Sequence, residues 1–270
     1  MINWVSNVFP GILGRVCDRP CEPACRRGRV EDKPVAICRL KRVAADNRED
    51  VSALLPKAPE KKNGKKIALI GGGPASLTVA RDLSLLGYEL DLFDDQPRAG
   101  GFIRSQIPSF RLPEKVLDEE IDCILEMGGI TRHFNTYVSS LKEIMDKDYD
   151  AVFVGSGAPR GRDLPNLPGR EAGDKFIHVG IDWLAAVVFD HVKKVGKRVL
   201  VLGGGNIGLL SGVAARDRSA LVGVTCRYPH QAELAASFGL EPVAPDDVDA
   251  WADEHRPGVV IETVGGEADT

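Results

Sequence analysis

The sequence makes one local construction twice. "KIALIGGGPASLTVARDLSLLG" (residues 66–87) and "RVLVLGGGNIGLLSGVAAR" (residues 198–216) each read as an apolar strand, a glycine turn and the start of a helix. That order is what a dinucleotide site needs. Backbone N–H groups and the positive helix end face a pyrophosphate, and glycines are required where a side chain would collide with it. In the second copy Gly203, Gly205 and Gly208 fill the G-x-G-x-x-G spacing, with Gly204 and Asn206 between them. In the first, Gly71 and Gly73 fit and Ser76 takes the third place, where a small residue still permits close helix packing. A turn that only lets strand and helix pack is the plain alternative for each copy.

The end of the following strand separates the two. After "ELDLF" stand Asp94 and Asp95, about 20 residues downstream of the turn, where a carboxylate accepts hydrogen bonds from a ribose 2′-hydroxyl. The matching position in the second copy reads Thr225, Cys226, Arg227, without an acid. A carboxylate repels a 2′-phosphate and an arginine pairs with it. The first turn therefore suits an unphosphorylated adenosine such as that of FAD, and the second suits NADPH. The expected fold is α/β, with two Rossmann-like units, both incomplete, behind a cysteine-rich helical module. The second unit counts about four strands from residue 196 onward, short of six.

The division expected from the pattern is 1–62 for the cysteine-rich module, 63–195 for the FAD-binding domain and 196–270 for a truncated NAD(P)-binding domain. The linker "PKAPEKKNGKK" ends the first part. In it, "RVCDRPCEPACRRG" spaces Cys17, Cys21 and Cys25 at four-residue intervals, but Pro20 and Pro23 oppose a continuous helix, so the chain wraps around something instead. Cys38, in "PVAICRLKRVAAD", can return as a fourth ligand, and five nearby arginines offset thiolate charge. Three readings stay open: an iron–sulfur cluster, a zinc site or plain thiols. Cys123 and Cys226 read as core or strand residues.

Composition bounds the rest. With 43% hydrophobic and 27% charged residues, the chain can bury a core. Its net charge of −4 hides an asymmetry: residues 15–48 carry ten Lys or Arg against five acids, and residues 241–270 nine acids against one Arg. Two solvated faces explain this better than a nucleic-acid surface, which needs interleaved aromatics. No apolar run approaches a membrane span, and "MINWVSNVFPGILGR" lacks a basic leader, so the expectation is a cytoplasmic protein contacting neither membrane nor nucleic acid.

"GRVCDRPCEPAC", "PVAICRLKR", "IALIGGGPASLTVARDLSLLGYELDLFDDQPRAGGFIRSQIPSFRLPEKVLDEEI" and "YDAVFVGSGAP", in that order, resemble the small subunit of glutamate synthase and its relatives over about residues 9–205. The resemblance implies a flavoprotein passing electrons from NADPH to FAD to a 4Fe-4S cluster, and so to an electron-accepting protein subunit. It also implies that Gly71, Gly73 and Asp94 hold the adenosine diphosphate of FAD, that Gly100, Gly101, Phe102 and Arg111 line the flavin side, and that Gly203 to Asn206 with Arg227 hold NADPH. No acid, base or nucleophile is required, so no catalytic residue is expected. Lys41 stands where relatives can have an oxygen ligand, which an ammonium cannot replace. Beyond Gly205 the chain resembles instead the nucleotide domain of medium-chain zinc-type alcohol or threonine dehydrogenases. Two rival expectations follow: a partial dehydrogenase of that kind, and a non-catalytic nucleotide-binding fragment or chimera.

Overall fold

The computed structural model describes residues 2–49, 54–158, 161, 170–218 and 221–264. The chain divides into two compact units, Met1–Arg104 with Ser109–Gly157, and Ser105–Pro108 with Ala158–Thr270.

The first unit begins with helices α1 (Ile2–Ser6), α2 (Pro10–Val16) and α3 (Ile37–Asp46), with a 3₁₀ turn at Arg26–Arg29 between the last two. Pro10 opens α2 at a position whose N–H would be unpaired in any case. After Cys17, at the end of α2, the prolines keep the chain out of a helix until the 3₁₀ turn. The sheet follows with β1 (Lys66–Ile70), α4 (Pro74–Leu85), β2 (Glu89–Phe93), α5 (Phe102–Ser105), α6 (Glu114–Leu125), β3 (Ile130–His133), α7 (Leu141–Met145) and β4 (Ala151–Val154). The strands are parallel in the order β3-β2-β1-β4. β1 reads as an unbroken apolar run because helices cover both its faces: Ile67, Ala68, Leu69 and Ile70 are all buried. Helix α6 buries Leu117, Ile121, Ile124 and Leu125 along one face, with Val116 half-buried beside them.

Among the buried polar groups of this unit are Glu120 and Asp91. Glu120 of α6 is buried, and its carboxylate accepts the N–H of Gly11 (2.6 Å) and of Ile12 (3.0 Å), capping α2 from 109 residues away. Burial pushes the Glu120 carboxyl above its usual range despite these bonds. Asp91 of β2 accepts the Tyr149 hydroxyl (2.6 Å) and the Lys66 ammonium (2.7 Å), with His133 Nε2 at 3.1 Å. Burial alone would raise it, but these partners outweigh burial and hold it below the usual carboxylate range.

The second unit holds β5 (Ile177–Val179), α8 (Gly180–Val188), β6 (Arg198–Leu202), α9 (Asn206–Arg216), β7 (Leu221–Thr225), α10 (Pro229–Ser237), β8 (Glu241–Val243), a 3₁₀ turn at Pro245–Asp247, α11 (Val248–His255) and β9 (Val259–Glu262). Its sheet is parallel throughout, in the order β5-β9-β6-β7-β8. Val199, Val201, Val213, Val222, Val224 and Ile261 pack between strands and helices on one face. Leu200, Val243 and Trp251 pack on the other, where the Trp251 ring lies against Gly223.

Each sheet thus places its glycine-turn strand centrally, with the next strand on one side and a later strand on the other, as in half of a doubly wound fold. Two sequence expectations change. Residues 177–188, assigned above to the FAD domain, supply β5 and α8 beside β9 in the second sheet, so that among the described residues β5 joins the four strands that follow residue 196. The stretch "YDAVFVGSGAPR" reads as a buried strand, but β4 is only half covered because it lies at the sheet edge; Pro159 and Arg160 lie outside the described residues.

Candidate functional site

The two glycine turns lie at the C-terminal ends of β1 and β6, each opening a helix. In both, the first glycine needs the left-handed region. Gly71 has φ +91° and Gly203 +106°. A Cβ on Gly71 would come 2.6 Å from the carbonyl oxygen of Gly155, and one on Gly203 2.7 Å from Thr263 Oγ1. The intervening Gly72 and Gly204 are closed off too, by the Asp94 carboxylate and the Thr225 carbonyl, each at 2.8 Å. At the third place a Cβ on Gly208 would drive into the carbonyl oxygen of Gly203. In the first turn Ser76 occupies that place, fully buried, with an Oγ that makes no hydrogen bond among the described residues.

The middle glycines differ from all of these. Around Gly73 the nearest atom to an added Cβ is 3.9 Å away, and around Gly205 nothing lies within 4 Å. Neither has positive φ: Gly73 is at −76° and Gly205 at −76°. Packing and backbone geometry therefore explain the outer glycines and leave the middle ones unexplained. Open space of this kind in front of a helix N-terminus is what a pyrophosphate requires.

Side chains at the end of the second strand brace both turns. Gly72 N–H donates to the Asp94 carboxylate, and Gly203 N–H to Thr225 Oγ1 at 2.6 Å, each partner 22 residues downstream. Asp94 also accepts the N–H of Gln96 (2.7 Å), and burial pushes its carboxyl above the usual range. The residue read from the sequence as a ribose acceptor is thus turned into its own glycine turn, with lone pairs left for further donors. Asp95 beside it is exposed.

The structure brings Gly100 and Gly101 to the first turn. Gly100 N–H donates to Gly72 O at 2.8 Å, and a Cβ on Gly101 would come 2.7 Å from Gly73 Cα. Both have positive φ, +134° and +50°. Phe102 follows, more than half exposed. Arg111 is exposed, with no hydrogen bond or ion pair to the turn among the described residues.

In the second unit Asn206 is exposed at the start of α9. Arg227 is exposed past the end of β7, its guanidinium 5.9 Å from the Tyr228 ring centre and without a carboxylate partner among the described residues. Gln231 Oε1 accepts the N–H groups of Arg227 (3.0 Å) and Tyr228 (3.1 Å), which fixes the chain entering α10. Thr263 Oγ1 donates to Leu202 O at 2.6 Å and lies 3.2 Å from Gly203 O, tying β9 to the turn. The sequence reading missed Thr263 and Gln231, and it placed Thr225 without its bond to the turn. The one signal was "YPHQ", a proline at a helix start with a glutamine two residues on.

The four cysteines are placed unequally. Cys17 and Cys38 face one another; burial, then the neighbouring Cys17, pushes the Cys38 thiol up. Cys17 Sγ accepts the Arg19 N–H at 3.4 Å. The Cys25 thiol is drawn down by backbone N–H groups of Val35 and Arg27. The backbone contacts at Cys25 favour its thiolate, whereas burial at Cys38 opposes one. Cys21, however, is exposed, and among the described residues no three His, Cys, Asp or Glu side chains draw together to hold a metal ion. As placed, the set does not fit a cluster. No helix among the described residues is long and apolar enough to cross a membrane.

Comparison with known proteins gives a consistent picture. Residues 65–230 match the family described as pyridine nucleotide-disulphide oxidoreductase. The chain is 38% identical over 204 residues to the NADPH-Fe(3+) oxidoreductase subunit beta of Geobacter sulfurreducens, an alignment covering 73% of this chain and 30% of that protein. It is 33% identical over 217 residues to the glutamate synthase [NADPH] small chain of Mycobacterium tuberculosis, covering 75% of this chain and 44% of the relative. Among solved structures, a 2-naphthoyl-CoA reductase in complex with 2-naphthoyl-CoA superposes with a TM-score of 0.59 at 16% identity, over 82% of this chain and 35% of that one, which shows the fold alone. The chain therefore spans under half the length of these curated relatives. The family match runs on through Gly205 without a break, so the change of family read at that point, towards zinc-type dehydrogenases, finds no support.

Proposed function

Since this chain belongs to the pyridine nucleotide-disulphide oxidoreductase family, we propose that it is a flavoprotein oxidoreductase component whose first turn holds FAD and whose second holds NADPH. The observation that carries this reading is the openness around Gly73 and Gly205, the glycines within the two turns that packing does not require. When bound, the pair supplies hydride chemistry from reduced nicotinamide to oxidised flavin. The chain's own part is binding and orientation. Gly71, Gly73 and Ser76 shape the first phosphate cradle, and Asp94 accepts from the ribose. Gly100, Gly101, Phe102 and Arg111 form the flavin side. Gly203, Gly204, Gly205, Asn206 and Gly208 shape the second cradle, and Arg227 pairs with the 2′-phosphate.

The relatives with which it aligns are a beta subunit and a small chain, which supports a partner subunit as electron acceptor. For the cysteines we retain Cys17, Cys21, Cys25 and Cys38 as the ligand set to test, which requires the Cys21 and Cys25 segment to close on the Cys17–Cys38 pair.

Anaerobic titration of purified protein with FAD and then NADPH tests the reading. Bleaching of bound flavin supports it; binding of both without reduction marks a nucleotide-holding fragment; no flavin binding refutes the first site. Iron and sulfide analysis of the same sample should give about four irons per chain for a 4Fe-4S cluster, against zinc without sulfide for the other metal reading and neither for plain thiols.

Arg227→Ala is expected to weaken NADPH by roughly ten- to a hundredfold, the loss of a charge-assisted phosphate contact, and to leave NADH nearly unchanged. Calorimetric titration with both cofactors checks it, and equal losses would remove Arg227 from the 2′-phosphate.

A further inference from the structure

Arg104 is 4% exposed, an unusual burial for a guanidinium. It folds back beneath the turn that precedes it. Nε donates to Ala99 O at 2.6 Å and Nη2 to Asp118 at 2.6 Å, while Nη1 lies 3.7 Å from Glu114 and makes no hydrogen bond among the described residues. From the solvent side Arg98 engages the same two acids, hydrogen-bonding Glu114 and standing 3.8 Å from Asp118. Two arginines that flank the turn thus share two acids on α6.

The clasped segment is the one that leans on the first phosphate cradle. Ala99 leads into Gly100, whose N–H is bonded to Gly72 O, and into Gly101, packed on Gly73. Arg104 and the turn are tightly fitted: a Cβ on Gly100 would come 2.8 Å from Arg104 Cβ. With Gly100 and Gly101 both at positive φ, the turn lacks the backbone restraint that side chains usually provide. The guanidinium supplies it instead, because its planar fork can hold a carbonyl and a carboxylate at once in one orientation.

We infer that Arg104 is a positioning residue that sets the Ala99–Gly101 turn against the Gly71–Gly73 cradle and so fixes how the first unit grips its cofactor. The inference rests on the FAD reading above. A lysine keeps the charge but, as a single point donor, cannot span Ala99 O and Asp118 together.

The test is FAD affinity by fluorescence quenching, with the visible circular dichroism of the bound flavin, in wild type, Arg104→Lys and the control Arg98→Ala. Arg104→Lys should weaken FAD by roughly tenfold or more and diminish the dichroic band, and Arg98→Ala should change affinity by less than about threefold, as an exposed pair does. Arg104→Lys with wild-type affinity and dichroism would overturn the inference even if its melting temperature fell. Should wild type bind no FAD, the flavin reading itself fails, and amide exchange at Gly100 then decides. Faster exchange in Arg104→Lys supports the clasp, and equal exchange overturns it.

Discussion

Replacing Gly208 with alanine is expected to destabilise the second unit by about 4 kcal/mol or more, near the top of what single substitutions do. The added methyl group would drive into the carbonyl oxygen of Gly203. That oxygen cannot retreat easily. Gly203 is held by its N–H bond to Thr225 and by Thr263, and its φ of +106° leaves little choice of conformation. The strain must therefore move α9 away from β6, opening the contacts of Leu209 and Val213 with the strand core. For a unit of about this size the loss corresponds to a fall in melting temperature of roughly 15–30 °C. Calorimetric scanning of the variant checks this, with Ser76→Ala as the comparison. There a Cβ is already accommodated and the removed hydroxyl makes no hydrogen bond among the described residues, so little should change. A melting temperature for Gly208→Ala within about 5 °C of wild type would mean that the turn is looser than its contacts indicate.

Gly205→Val should do the opposite: leave the fold alone and abolish binding. The backbone at Gly205, φ −76° and ψ −175°, is extended and open to any residue, and no atom lies within 4 Å of the new Cβ. Stability should stay within about 0.5 kcal/mol of wild type. The isopropyl group would instead stand in front of the free N–H groups at the start of α9, where the pyrophosphate is to lie. NADPH affinity should fall by roughly a hundredfold or more, about 2.7 kcal/mol. Titration calorimetry reads it directly. Affinity within threefold of wild type would show that the turn is a packing device and nothing more. Together the two variants separate two roles that a glycine pattern merges.

Those roles also mark the limit of legibility in the sequence. The two turns, their helices and the contrast between Asp94 and Arg227 could be read because local spacing carries them. The braces could not. Thr225 and Thr263 meet Gly203 only after β7 and β9 have paired on either side of β6, and nothing in a threonine's neighbours announces that. β5 is three residues long, too short to show a period, so its place in the second sheet depends on pairing with β9 some 80 residues later. Asp94 was legible as an acid at the end of β2, but not as one already engaged by its own glycine turn. The cysteine spacing marked four thiols, whereas helix packing of α2 on α3 decides that Cys17 meets Cys38 and leaves Cys21 exposed.

The Glu120 cap on α2 has a consequence for how such a chain can be recombined. Its carboxylate belongs to α6, inside the nucleotide-binding unit, yet the amides it satisfies are those of Gly11 and Ile12 in the cysteine-bearing helices. Cutting the chain at the linker near residue 62 and separating the pieces would uncover the Glu120 carboxylate and its apolar surroundings on one piece and leave α2 uncapped on the other, a loss of about 0.5–2 kcal/mol for the cap alone. The cysteine helices are thus not a cassette that can be lifted out and grafted elsewhere. A transplant that keeps the α2 cap has to carry an α6 with an acid at the same point.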